Sequence, residues 1–136
     1  MIGGMAAESS NHDVQRLTEL RDTYEEAENA GDVDAIMDLC SDDIVFMPPE
    51  APPVSGPDAV RAFFEEFLDA FDVSLELTRN GITVDDALAY EWGTVSGTAT
   101  GPDGESQSLN NTYFITYERD PDGSWKQSRN IWNSNE

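Results

Sequence analysis

The sequence predicts an α+β domain, with three N-terminal helices packed on a curved antiparallel sheet, and three observations carry that prediction. Apolar residues recur at helical spacing over 14–27, 33–40 and 60–71. They alternate with period two from about residue 72 onward, and the turn sequences "GPDG" and "DPDG" punctuate the alternating part. Helices followed by strands, without the βαβα alternation of a parallel sheet, is the α+β pattern. At 136 residues the chain has the size of one domain.

Residues 1–12 are small and polar with no face to bury, and are expected to form a disordered leader, with 13–136 as the single domain. From Val14, apolar groups return at Leu17, Leu20, Tyr24 and Ala27, so the spacing predicts a first helix ending at "NAGD". Gly31 suits the left-handed position after that helix. Asp32 caps a second helix, whose apolar face is Val33, Ile36, Met37 and Cys40. "DIVFM" reads as a short strand and "PPEAPPVSGP" as a loop, because prolines remove ladder donors and turn the residues before them away from helix. Ser55 and Asp58 around Pro57 mark the start of a third helix. Its stripe of Val60, Phe63, Phe64, Phe67, Leu68 and Phe71 has to lie against a sheet. The strands are then "VSLELT", "GITV", "LAYEWGTVSGTAT", "SQSLNNTYFITYER" and "SWKQSRNIW", the last three forming a meander of hairpins.

The charge balance excludes several function classes. There are 28 acidic residues against 7 basic ones, a formal net charge of -21, and Lys126 is the only lysine. The acids are spread over every segment instead of forming a tail. Such a surface resembles that of proteins from salt-loving organisms, whose concentrated salt screens charge over roughly 3 Å at about 1 M. Nucleic acid is excluded as a partner, since phosphate binding needs clustered Lys and Arg. No membrane partner is expected either. The chain has no run of about 18 apolar residues, and "MIGGMAAESSNHD" lacks both a basic region and an apolar segment, so a cytoplasmic location is expected. With one cysteine, Cys40, and one histidine, His12, the chain offers no disulfide, no metal site and no Ser-His or Cys-His pair. No cofactor is implied, and Cys40 is expected to be a buried small hydrophobe.

Four segments in order, "NAGD", "AIMDLCSDDIVF", "PPVSGPDAVRAFFEEF" and "GSWKQSRNIWNSN", resemble the nuclear transport factor 2-like superfamily over residues 14–134. Within it, "EWGTVSGT" followed by "DGSWKQSRNIWNSN" is similar to the SnoaL-like and ketosteroid isomerase-related branch. The resemblance implies a cone in which a bent sheet wraps a long helix around a central pocket. It also implies a homodimer paired through the outer face of the sheet, and a small-molecule ligand.

The resemblance carries over to particular residues. The oxyanion-hole tyrosine of ketosteroid isomerases lies seven residues before the glycine that ends the first helix, and here that position is Tyr24 before Gly31. Their general base, an aspartate at the end of the first strand, falls on Pro48, which moves no proton. Glu50, two residues on, is either a substitute base or a solvated charge in the proline loop. The second oxyanion acid falls near Asn111 or Tyr113, and neither is an acid. Tyr24 is then a hydrogen-bond donor to ligand or a core aromatic with a satisfied hydroxyl.

The pocket is expected to be lined by Tyr24, Phe46, Met47, Phe63, Trp92, Tyr113 and Trp132, with Asn111 beside them and the proline loop as roof. Glu91, between Tyr90 and Trp92, then faces out. Arg129 either points inward to bind an anionic or carbonyl group or pairs with a surface carboxylate, since burying its charge alone is costly. The expected function is to bind or process an apolar carbonyl or anionic small molecule. Any catalysis would be cofactor-independent proton transfer of isomerase, cyclase or lyase type, with Tyr24 as donor and Glu50 as base. The alternative is a non-catalytic homodimeric association or ligand-sensing module. An open cavity with paired polar groups favours the first reading, and a cone plugged by aromatic rings the second.

Overall fold

Gly31 and Asp32 make the first corner of the fold. In the computed structural model, which describes the backbone of residues 2–135 and the side chains from residue 11, helix α1 (Ile2–Ala30) ends at Gly31 in the left-handed region, φ 69°. The Gly31 and Asp32 N–H groups return to the carbonyls of Glu28 and Ala27 at 3.1 and 2.9 Å, closing the helix end. Asp32 then accepts from the Ala35 N–H at 3.1 Å and starts α2 (Val33–Met37). Of the expected leader, Met1 and the side chains of residues 2–10 lie outside the described residues. The backbone from Ile2 on is helical and continuous with α1.

Helix α2 is shorter than expected. Cys40 is not on its face but opens strand β1 (Cys40–Met47), because the Gln127 N–H takes the Leu39 carbonyl at 2.7 Å and draws this stretch into the sheet. The proline segment turns back on β1 and ends in a two-residue edge strand, β2 (Val54–Ser55), with Phe46 opposite Val54. Gly56, with φ 91°, occupies the cap position, and Pro57 begins α3 (Pro57–Ala70). As expected, the phenylalanine stripe of α3 packs on the sheet, with Val60 and Phe64 fully buried.

"VSLELT" and "GITV" form one strand, β3 (Asp72–Asp85), interrupted by a bulge at Asn80. Strands β4 (Leu88–Thr100), β5 (Ser106–Arg119) and β6 (Trp125–Ser134) continue the antiparallel meander. Strand β1 docks in parallel on the free edge of β6, so the sheet is mixed, in the order β2-β1-β6-β5-β4-β3. A parallel pair needs a long crossover, and α3 with the whole meander supplies it. Helix α1 lies across the concave face, where Leu17, Leu20, Tyr24 and Ala27 join Leu77, Ala89, Ile115 and Tyr117 in one core.

Candidate functional site

The helices and the concave sheet enclose a cavity of about 330 Å³. Its walls are apolar and mostly aromatic: Phe46 from β1, Phe63, Phe64 and Phe67 from α3, Leu75 and Leu77 from β3, and Trp132 from β6, with Pro49 of the proline loop at one side. Phe46 meets Phe64 and Trp132 edge to face, with centroids 5.1 and 5.9 Å apart, so the wall is held by ring-to-ring contacts. Polar atoms enter from Tyr24 and Glu28 on α1 and from Asn111, Tyr113, Asn130 and Ser134 on the sheet. Among the described residues no lysine or arginine lines it, and no group of three or more His, Cys, Asp or Glu is placed to hold a metal ion.

The structure brings together six of the expected lining residues: Tyr24, Phe46, Phe63, Asn111, Tyr113 and Trp132. Four others lie elsewhere. Met47, at the end of β1, sits beside Ile131 of β6 and is only half-buried. Glu50 is exposed on the proline loop, its backbone left-handed at φ 57°, and it does not reach the cavity. Arg129 donates to the carbonyls of Asp43 and Ser128, both at 2.8 Å, and lies 3.9 Å from the Asp43 carboxylate at the surface. Trp92 is 48% exposed on the outer face of β4, its indole lying over Gly81, where a Cβ would come within 2.8 Å of Nε1.

The reversal at Trp92 turns Glu91 inward, against expectation, and the register explains how the fold tolerates it. Glu91 stands opposite Ile115, so Tyr113 and Tyr117 flank it on the same face two residues to either side. Tyr113 donates to Oε2 at 2.7 Å and Tyr117 to Oε1 at 2.5 Å. From β3, Arg79 donates through Nε and Nη2 at 3.2 and 3.1 Å, and through Nη1 to Thr18 on α1 at 2.7 Å. Glu91, only 1% exposed, therefore accepts four charge-balancing or phenolic hydrogen bonds. This network holds the Tyr113 ring at the cavity wall with its proton committed away from the cavity.

Of the polar lining residues that sequence reasoning missed, Asn130, Ser134 and Glu28, only Glu28 is ionisable. It lies one helical turn after Tyr24 on the same face of α1 and is 8% exposed. Burial pushes its carboxyl up to about 8; contact with the Tyr24 hydroxyl offsets part of this, and the Glu25 charge adds to it. Burial, and then the Glu28 charge, raise the Tyr24 phenol well above its ordinary value. The usable signal was spacing: Glu28 continues the stripe of Leu17, Leu20 and Tyr24. In a chain with 28 acids, one more glutamate on a helix carries no mark of burial in its residue type.

The family model for the SnoaL-like domain matches residues 20–127. The chain belongs to the SnoaL-like domain family. No curated protein matches it. Solved structures similar to this SnoaL-like domain include a ketosteroid isomerase-like protein from Erwinia carotovora atroseptica, with a TM-score of 0.85 at 18% identity, covering 93% of this chain and 98% of that one. A nuclear transport factor 2-like protein with a cystatin-like fold from Novosphingobium aromaticivorans gives 0.83 at 18% identity, over 100% of this chain and 90% of that one. A nuclear transport factor 2-like superfamily protein from Salmonella enterica gives 0.81 at 18% identity, over 88% and 89%. These likenesses show the fold, an α+β cone of the nuclear transport factor 2-like type.

Proposed function

We propose that this SnoaL-like domain binds a small, neutral, largely apolar molecule whose hydrogen-bonding head, such as a carbonyl, meets Tyr24 and Glu28. The observation that carries the reading is an open aromatic-walled cavity with its polar groups gathered on α1 and the sheet and no basic side chain among its described lining. An anionic ligand loses its support with Arg129, which pairs at the surface. Titration with 2-tetralone, an apolar ketone, followed by tryptophan fluorescence, is expected to saturate. Tyr24→Phe is expected to weaken binding about fivefold, in line with the loss of one hydrogen bond of about 1 kcal/mol. Absence of any saturable binding, with no small molecule retained in native mass spectrometry, would sink the reading.

The outer face supports pairing of two copies. Tyr90, Trp92, Phe114 and Ile131 are 39% to 48% exposed, Trp92 stands opposite Phe114 and Phe114 opposite Ile131, and Tyr90 stacks on Phe114 at 5.5 Å. A contiguous apolar patch of this kind fits an isologous contact. Light scattering is expected to give a dimer that Trp92→Asp converts to the 15.0 kDa monomer. A wild-type monomer in high salt refutes it.

The net charge of -21 supports a high-salt setting such as the cytoplasm of a salt-loving organism. The melting temperature is expected to rise steeply between about 0.1 M and 1 M salt, as the screening length falls from about 10 Å to about 3 Å. A flat response removes this reading.

A further inference from the structure

Three buried or loop carboxylates could serve the cavity, and two are disqualified by their surroundings. Glu50 is exposed and lines no part of it. Glu91 already accepts from Tyr113, Tyr117 and twice from Arg79, which fills its lone-pair directions. Glu28 is the remaining one, and among the described residues it forms no ion pair. We propose, on the reading that the cavity takes an apolar carbonyl compound, that Glu28 is its proton-transferring residue, acting from helix α1 where Pro48 leaves the end of β1 without a base.

The geometry suits one reaction class, proton abstraction next to a carbonyl. Residues i and i+4 on a helix hold their Cβ atoms about 5–6 Å apart, and the carbon next to a carbonyl carbon lies only two bonds from the carbonyl oxygen. A ketone oxygen that takes over the Tyr24 hydroxyl from Glu28, its partner without ligand, thus offers its α-hydrogen towards the released carboxylate. The Glu28 carboxylate takes that proton, the C–H pair becomes the C=C bond of the enolate, and the carbonyl π pair moves to the oxygen held by Tyr24. Return of the proton from Glu28 to carbon restores the ketone or yields its isomer, with no net oxidation and no second reactant.

The surroundings keep this carboxyl basic. Glu25 adds a negative charge from α1, while Cys40 at the start of β1 and Tyr113 and Tyr117 on β5 are held protonated, chiefly by burial. Helix α3 and strand β3 present only apolar side chains to the cavity. A base of this strength works near neutral pH.

The test is exchange of the α-hydrogens of 2-tetralone for deuterium, followed by proton NMR. The wild type is expected to exceed the buffer rate, with a rate that climbs with pH and levels off near 8. Glu28→Gln is expected to bind 2-tetralone yet lose about 100-fold or more of the protein-dependent rate, and Glu28→Asp, which keeps the carboxylate, to retain part of it. Unchanged exchange in Glu28→Gln overturns the proposal. So does wild-type binding with exchange no faster than buffer, which leaves the ligand-binding reading intact. Failure to bind at all removes that reading and the proposal with it. If Glu28→Gln does not fold, a wild-type rate that is flat between pH 6 and 9 decides against Glu28 without it.

Discussion

Glu91→Ala is expected to destabilise the domain by about 3–5 kcal/mol, the penalty for removing one partner of a buried charge pair. The substitution leaves the Arg79 guanidinium, 16% exposed, without its carboxylate, and strips the acceptor from both the Tyr113 and Tyr117 hydroxyls. A fall in melting temperature of roughly 10–15 °C follows for a domain of this size. Urea unfolding checks the free energy directly, and a loss below about 1 kcal/mol would show that the network is incidental. Removing both charges is expected to be milder. In Glu91→Leu with Arg79→Met no orphaned ion remains, so the pair of substitutions should recover part of the loss. Because Tyr113 leans on Glu91 from the cavity wall, Glu91→Ala should also weaken 2-tetralone binding.

Glu28→Gln is expected to stabilise the protein at pH 9, which is unusual for a substitution in a buried site. The folded carboxyl keeps its proton up to about pH 8, against 4.5 for the ordinary group. Between those values the native state binds a proton that the unfolded chain has released. The corresponding stability is fully present below about pH 4.5, declines as pH rises, and is lost once pH passes about 8. The gap corresponds to on the order of 5 kcal/mol, and glutamine, which carries no titrating proton, abolishes it. The comparison belongs in 1 M salt, so that repulsion among the other carboxylates is screened in both proteins. Identical pH dependence of wild type and variant between pH 5 and 9 would contradict it. A variant that is more stable and less active would make Glu28 a residue kept for chemistry at the expense of the fold.

The parts of the fold that were legible in the sequence are those governed by local spacing. The stripes on α1 and α3, the Gly31 and Asp32 corner and the hairpin turns each lie within one element or one turn, and Tyr24 and Phe63 came with their stripes. Strand alternation also separated the two faces of β4 correctly. It does not say which face is inside, and ordinary hydrophobicity turned Trp92 inward and Glu91 outward. What reverses that choice is Arg79, twelve positions away across the β3–β4 pairing, together with the bulge at Asn80, neither of which leaves a local mark. The parallel pairing of β1 with β6 is likewise a contact between distant segments, and so is the burial of Glu28 beneath the sheet.

That parallel pairing bears on how the molecule is assembled in time. The β3–β6 meander zips up through neighbouring hairpins, whereas β1 meets its principal neighbour only when the last strand is in place, across a loop spanning most of the chain. Closing so long a loop is slow relative to hairpin formation. Phe46 on β1 and Trp132 on β6, which face each other across the wall of the cavity, therefore come together late. The pocket is thus expected to be the last feature to form during folding, so that a ligand acts on commitment to the native state only after the meander is built.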